Sequence, residues 1–368
     1  MLKQYKIRDY DFKLVIYIIL ITVIGILAIG SANGEFQGRQ MAGACAGLVI
    51  MICLSLVDYT LILKLQWVFY ILNLVLLILV QLFGDDAGGA QRWIQIAGIR
   101  FQPSETAKIL LILFYAEFIM IHKEKFNTLK NILMFIVFLI PPWLLVYKQP
   151  DLSTSIMILI VFAVIMFVGG LSTRVVVGIM AVVIPVALIF LSLVLQPDQN
   201  LIKDYQQTRI LAFLHPEEYA NAEAYQQNNS VMAIGSGQLF GKGYKNNEIT
   251  SVKNGNFISE PQTDFIFAIV GEEFGFVGSC TVIVLLFQIS MECFSVARRS
   301  RELSGTIIGA GMGALVGAQG FLNIGVATFL LPNTGLPLPF VSYGLTSLLS
   351  LFIGMGFVLN VSLQCSKN

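Results

Sequence analysis

Charge is scarce in this sequence. Lys, Arg, Asp and Glu supply 12% of its 368 residues against 56% hydrophobic residues, too little polar surface to cover a soluble globule of this length. The chain therefore reads as an integral membrane protein. Its 23 basic and 22 acidic residues nearly cancel and form no long basic run, so nothing points to a nucleic-acid partner. Histidine is nearly missing: His122 and His215 are too few and too far apart for a histidine-based metal cluster. The five cysteines, Cys45, Cys53, Cys280, Cys293 and Cys365, fall within or beside apolar runs without C-x-x-C spacing. They read as small buried hydrophobes rather than disulfides or metal ligands. No repeat of about 20 to 50 residues is visible, which excludes a solenoid, and no inverted duplication of the transporter kind is seen. The start, "MLKQYKIRDYDFK", is basic, but a long apolar run without a small-residue cleavage site follows, so it reads as an uncleaved first span.

What the sequence has in quantity is long apolar runs. A helix needs about 20 mainly apolar residues to cross the hydrocarbon core. Ten such runs lie between charged or Pro/Gly-rich breaks, at 12–31, 41–57, 62–83, 104–121, 128–146, 153–170, 175–195, 275–297, 304–330 and 340–362. With the N-terminus inside, the cytoplasmic face collects thirteen basic residues: Lys3, Lys6, Arg8, Lys13, Lys64, Lys123, Lys125, Lys130, Arg174, Arg298, Arg299, Arg301 and Lys367. The short outer loops hold five, Arg39, Arg92, Arg100, Lys108 and Lys148. This asymmetry predicts that both termini are cytoplasmic. The expected fold is an all-α polytopic membrane protein, one domain over 1–368, with a long extracellular loop at 196–264 between spans 7 and 8.

The stretch "ISEPQTDFIFAIVGEEFGFVG" (258–278) carries Glu260, Asp264, Glu272 and Glu273 in apolar surroundings. As one straight helix, residues 263–297 would extend about 52 Å, far beyond a core of about 30 Å. Gly271, Gly275 and Gly278 bracket the paired glutamates, so a break is expected there, with the span starting near Gly275. A short or re-entrant outer segment then places all four carboxylates at the outer lip, lining a wet cavity.

Other polar stretches fall on the same predicted side. "GAQRWIQIAGIRFQPSETAKI" (89–109) has an amphipathic alternation suited to the membrane interface, then a helix start with Pro103 early and Ser104 as cap. Glu105 and Lys108, three apart, share a helix face. Arg100 is as compatible with lipid headgroups as with a ligand, and Arg92 leans toward headgroups. In "YKQPDLSTS" (147–155), Lys148 and Asp151 flank Pro150 and read either as a loop ion pair or as functional charges. Glu272 and Glu273 read as structural or paired with a basic residue, while Glu117 and Glu292 fall near the cytoplasmic ends. "IGSGQLFGKG" is not a P-loop, since Ser236 replaces its first glycine and Gly243 its Ser/Thr. Its glycines suit either close backbone approach to a phosphate or sugar, or a plain turn. Gly305, Gly309, Gly313 and Gly317 repeat every four residues and read as a helix-packing face. "LLPNTGLPLPFVSYG" (330–344), with three prolines and two glycines, predicts a non-helical outer turn that walls the cavity.

Taken in order, "RWIQIAGIRFQPSETAKI", "KQPDLSTS", "AIGSGQLFGKGY", "TDFIFAIVGEEFGFVG" and "NTGLPLPFVSYG" resemble the characteristic segments of the SEDS family (shape, elongation, division and sporulation), the bacterial RodA, FtsW and SpoVE proteins. "KQPDLSTS" leans toward the RodA branch. The resemblance implies a ten-span peptidoglycan glycosyltransferase that polymerises lipid II, the lipid-linked disaccharide-peptide, on the outer face of the cytoplasmic membrane. It also implies a class B penicillin-binding transpeptidase as partner, within the elongation or division machinery. By this resemblance Asp264 matches the aspartate regarded as catalytic, and Lys108 and Asp151 match other functionally important positions. Two departures are visible: Glu260-Pro261 stands where Pro-Glu is common, and "NNS" (228–230) where a Gln-Ser pair is usual.

Lipid II already carries its leaving group, a pyrophosphate on the donor's anomeric carbon. The chemistry needs one base for the acceptor hydroxyl and cations for the departing pyrophosphate, not a glycosidase carboxylate pair. Asp264 is the expected base. Arg92, Lys108 and Lys148 are the expected basic contacts, Arg209 a weaker candidate, and Glu105 and Asp151 complete the expected substrate-binding set. Displacement at an alpha-linked donor predicts inversion. A magnesium or manganese ion bridging pyrophosphate and Asp151 is compatible with this chemistry, without a closed ligand set in the sequence; no organic cofactor is expected. Two other classes remain open, a flippase for the lipid-linked precursor and a non-catalytic scaffold that recruits the transpeptidase. The span centres carry almost no charge, which favours the enzyme over the flippase.

Overall fold

The structure is a computed structural model that describes residues 10–87, 90–96, 99–196, 201, 202, 204–219, 223–245, 251 and 257–365. Its elements run α1 (Phe12–Ala32), α2 (Gly34–Ser55), α3 (Tyr59–Leu63), α4 (Gln66–Phe83), β1 (Asp85–Ala87), β2 (Ala90–Ile96), β3 (Ile99–Phe101), α5 (Pro103–Ile121), α6 (Leu129–Lys148), α7 (Leu152–Val168), α8 (Thr173–Val194), α9 (Asp204–Leu214), α10 (Glu223–Ser236), α11 (Ile266–Arg299), α12 (Leu303–Ala327) and α13 (Leu345–Gln364).

Ten of these helices, α1, α2, α4 to α8 and α11 to α13, fall on the ten apolar runs. Among the described residues eight are long and apolar enough to cross a membrane; α7, with 17 residues, is a shorter apolar helix. The remaining one, α5, has 19 residues and carries Glu105, Lys108 and Glu117. It is buried along nearly its whole length, so its charges meet protein rather than lipid. Reversals between spans are set by short polar caps. Asn33 ends α1, its N–H donating to Ile29 at 2.8 Å, and starts α2 by accepting from the Glu35 N–H at 3.1 Å. Asp11, Asp58 and Asp151 cap α1, α3 and α7 in the same way.

Close backbone packing builds the centre. A Cβ on Gly309 would lie 2.9 Å from the Ala297 side chain, and one on Gly313 3.0 Å from the Ser290 carbonyl, so the four-residue glycine spacing is the face on which α12 meets α11. In α6, Pro142 has no N–H for the carbonyl one turn earlier; that carbonyl, Phe138, accepts instead from the Tyr70 hydroxyl at 3.1 Å. At one end of the bundle Asp11 pairs with Arg299 at 3.5 Å, and the Tyr10 and Ser55 hydroxyls are 3.1 Å apart. The turn after α12 and the small sheet lie at the other.

Three local expectations change. The amphipathic segment after α4 is an antiparallel meander, β1-β2-β3, with Ile94 opposite Phe101 and Gln95 opposite Arg100. Its alternation has the period of a strand, and its β-branched and aromatic residues favour one. Ser104 does not cap α5: Gln102 does, in extended backbone at φ −108°, because Pro103 takes the first helical position and disfavours helix in the residue before it. The break in α11 sits at Gly275, φ 66° and ψ −160°, as expected, but Glu272 and Glu273 do not line a wet cavity. Both are buried, Glu272 against Lys242 at 3.0 Å and Ser251 at 3.1 Å, Glu273 against the Ser31 hydroxyl.

Candidate active site

Asp264 lies in the turn just before α11, and its backbone is held from two sides. The Asn323 amide, on α12, donates to the Asp264 carbonyl at 2.7 Å and to the Leu336 carbonyl at 2.7 Å. The Ser342 hydroxyl donates to the neighbouring Thr263 carbonyl at 2.6 Å and accepts from the Leu338 N–H at 2.7 Å. Tyr343 N–H donates to the Gln262 carbonyl at 2.9 Å, and Gln40 of α2, itself buried, donates to the Ser342 carbonyl at 3.1 Å. The proline-rich segment 328–344 is thus a strap that fixes the acid's height, while the prolines deny it any helix of its own.

The carboxylate itself faces Gly335. That residue has φ 68°, and a Cβ there would sit 3.3 Å from Asp264 Oδ2 and 4.0 Å from an Arg209 guanidinium nitrogen. Glycine is required both by the left-handed backbone and by the close approach. Burial pushes the Asp264 carboxyl up to about 6; Arg209 and Arg92 pull it back, while Glu260 and Asp151 push it further. At neutral pH the group is largely ionised, yet it binds a proton far more readily than an ordinary aspartate.

Around it the expected residues separate. Arg209, half-buried on α9, and Arg92 on β2 act on Asp264 through charge. Arg92 also hooks over the α6–α7 corner, donating to the Gln149 carbonyl at 3.2 Å and to the Pro150 carbonyl. Asp151 is buried, accepts from the Thr154 N–H at 3.1 Å as helix cap, and takes a long bond from the Ser104 hydroxyl at 3.5 Å. Glu105 and Lys108 form an ion pair at 2.7 Å, both about 97% buried or more (3% and 2% exposed). Lys108 also donates to Gln319 at 2.7 Å, Gln319 donates to the Pro337 carbonyl at 2.9 Å, and Ser347 donates to Glu105 at 2.8 Å. This network ties α5, α12 and α13 to the strap. Lys148 and Arg100 are exposed; Lys148 is in the last turn of α6, where a cation complements the helix C-terminus.

Asn323, Gln319, Ser342 and Gly335 escape sequence reasoning. Gln319 and Asn323, four apart on an otherwise small and apolar helix, carried a readable signal, since that spacing puts two amides on one face. The Gly-rich loop also finds a use outside both readings given to it. The Lys242 and Gly243 N–H groups donate to the Glu272 and Glu273 carbonyls at 2.9 and 3.1 Å, and Phe276 and Val277 N–H donate back to Gln238 and Leu239 at 2.8 and 3.2 Å. The loop supplies hydrogen bonds to the backbone groups flanking the α11 break.

Among the described residues no three His, Cys, Asp or Glu side chains gather as a cation site, and both Asp151 oxygens already accept protein hydrogen bonds. No closed cation cage forms among the described residues.

Fold and site define a polytopic helical membrane protein with an acid of raised proton affinity held beside arginines at one end of the bundle. The chain belongs to the FtsW/RodA/SpoVE family, described as cell cycle proteins, whose profile matches residues 11–367. It is 34% identical over 358 residues to the peptidoglycan glycosyltransferase MrdB of Escherichia coli (strain K12), covering 95% of this chain and 93% of that one. It is 29% identical over 385 residues to the probable peptidoglycan glycosyltransferase FtsW of Bacillus subtilis (strain 168), covering 99% and 93%. Among solved structures, a chain from a peptidoglycan synthase complex superposes with a TM-score of 0.76 at 28% identity over 96% of this chain and 97% of that one. The rod shape determining protein RodA of Thermus thermophilus superposes at 0.70, with 26% identity over 98% of each.

Proposed function

We propose that this protein is a peptidoglycan glycosyltransferase that polymerises lipid II at the outer face of the cytoplasmic membrane, with both of its own termini inside. The observation that carries the reading is Asp264: pinned by its backbone, raised to about 6 by burial, and set beside Arg209. A base for a sugar hydroxyl works best with a proton affinity near the operating pH. Asp264 takes the proton of the acceptor hydroxyl as its oxygen attacks the donor's anomeric carbon. The new carbon–oxygen bond forms as the bond to pyrophosphate breaks, with inversion, and the electron pair leaves on the polyprenyl pyrophosphate. Arg92 and Arg209 supply the positive field for that anion. Lys108 and Glu105 act from behind, holding the strap against α5 and α12, and Asp151 fixes the start of α7. Lys148 meets substrate or headgroup phosphates at the surface.

The basic-residue asymmetry supports the orientation. A relative within a peptidoglycan synthase complex supports a class B penicillin-binding transpeptidase as partner. Purified protein incubated with lipid II, its products resolved on a gel, tests the reading. A glycan ladder supports it. Transfer of lipid II between vesicle leaflets with no ladder, even with a cognate transpeptidase added, would replace the enzyme by a flippase.

A further inference from the structure

Where α11 resumes beyond Gly275, the neighbouring loop carries an apolar surface that the chemistry at Asp264 does not use. Phe240 is 77% exposed and Phe276, just past the break, 63%. Leu239 and Tyr244 on the loop, Met232 on α10 and Val277 on α11 are exposed as well. Exposed apolar side chains on a loop and on the helix it is hydrogen-bonded to mark a contact surface, not water. The loop bearing it is rigid, because the four backbone bonds across the α11 break hold it at both edges. Gly241, at φ 81°, and Gly275 approach so closely that a Cβ on Gly275 would lie 2.3 Å from the Gly241 nitrogen. Its outward side chains are therefore presented in a fixed direction.

Two features identify what covers the patch. It runs directly into the exposed apolar stripe of α11, Phe276, Val277, Ile283, Val284 and Phe287, which faces lipid if α11 crosses the membrane. Its polar edge has the composition of a membrane interface. Lys242 is turned inward to Glu272 at 3.0 Å, while the Lys245 ammonium lies 5.6 Å from the centre of the Tyr244 ring. An aromatic ring with an adjacent lysine suits the headgroup level, the ring at the apolar boundary and the cation among phosphates.

We infer that residues 239–245 form an interfacial membrane anchor, with Leu239 and Phe240 inserted at the edge of the hydrocarbon and Tyr244 and Lys245 among the headgroups. The loop is bonded to α11 on both sides of Gly275, and the first half of α11 leads back to Asp264. The anchor thereby sets the depth of that residue relative to the bilayer. The inference rests on α11 crossing the membrane and is independent of the reaction assigned to Asp264.

The Phe240→Trp variant, reconstituted in phosphatidylcholine nanodiscs with or without bromine on the acyl chains, tests it, with the signal of the parent's three tryptophans subtracted. Phe287→Trp serves as the reference for a lipid-facing position, and Leu239→Trp repeats the measurement if Phe240→Trp does not fold. The added fluorescence is expected to be lost on brominated lipid, more with bromine near the headgroup end than near the chain terminus, and to resist aqueous iodide. Quenching by iodide without quenching by bromine would place the loop in water and overturn the inference. Protection from both quenchers would overturn it too, since protein, a second copy of this chain, would then cover the patch.

Discussion

The side-chain amide of Asn323 donates to the main-chain carbonyl of Asp264 at 2.7 Å, so α12 holds the acid by its backbone and leaves the carboxylate to face Gly335 and Arg209. With Ser342 on the adjacent Thr263 carbonyl, two side chains from separate elements hold the two successive peptide planes that flank the Asp264 Cα. Replacing Asn323 with Ala leaves the Asp264 and Leu336 carbonyls without this donor, a loss of about 1–3 kcal/mol of stability for buried polar groups. Turnover should fall by more than the apparent KM rises, because the base is displaced while the arginines stay. Ser342→Ala should behave alike, with Ser342→Thr, which keeps the hydroxyl, recovering activity. Steady-state kinetics and Tm on the same preparations check this.

The rate should rise with pH through an apparent value near 6, since Asp264 must be ionised to act as base and burial holds its carboxyl at about 6. Arg209 pulls that value down. Arg209→Ala should therefore move the acidic limb of the pH–rate profile to higher pH, and Arg92→Ala should do so by a smaller amount. An unmoved limb in Arg209→Ala would separate the titrating group from Asp264.

Lys108 is buried with Glu105 at 2.7 Å, and removing one member of such a pair strands the other's charge. Lys108→Ala is expected to destabilise the protein by about 3–5 kcal/mol. Combining Glu105→Gln with Lys108→Met removes both charges and should recover a large part of that loss. A double-mutant cycle in thermal unfolding measures the coupling; additive effects would contradict the buried network.

Gly275→Ala should prevent the α11 break from forming. The left-handed backbone and the 2.3 Å approach to Gly241 both exclude a side chain. A lowered Tm, together with faster hydrogen exchange at the Phe276 and Val277 amides, is the expected outcome.

Much of this architecture could be read from local pattern. Ten apolar runs near the required length gave ten helices, and too long a run with three glycines located the α11 break, because membrane thickness and helix rise leave little freedom. The glycine face of α12 was equally plain. The strands after α4 were missed because "RWIQI" alternates with a period that also suits an interfacial segment, and only its pairing with "IRF" decides between them. In the site, four carboxylates stood out because charge amid apolar residues is costly, and the resemblance of "TDFIF" to the family's segment singled out Asp264 among them. Asn323, Gln319 and Ser342 did not stand out: the four-residue spacing of Gln319 and Asn323 marks a polar face on α12, but each of the three acts on a backbone carbonyl that only the fold brings to it. Lys108 was expected to meet substrate, but its burial against Glu105 and Gln319 is a long-range fact that three-residue spacing conveys only in half.

The most direct measurement is the initial rate of glycan polymerisation from lipid II by purified wild type and Asp264→Asn, with Tm recorded for both. Burial raises the carboxyl's proton affinity in the folded state, so its ionisation above about pH 6 costs stability that asparagine is spared. The variant should melt no lower than wild type at neutral pH, with the difference shrinking as pH falls. It should form no ladder. A variant that folds as well as wild type and still polymerises at the wild-type rate would remove Asp264 from the chemistry and contradict the account.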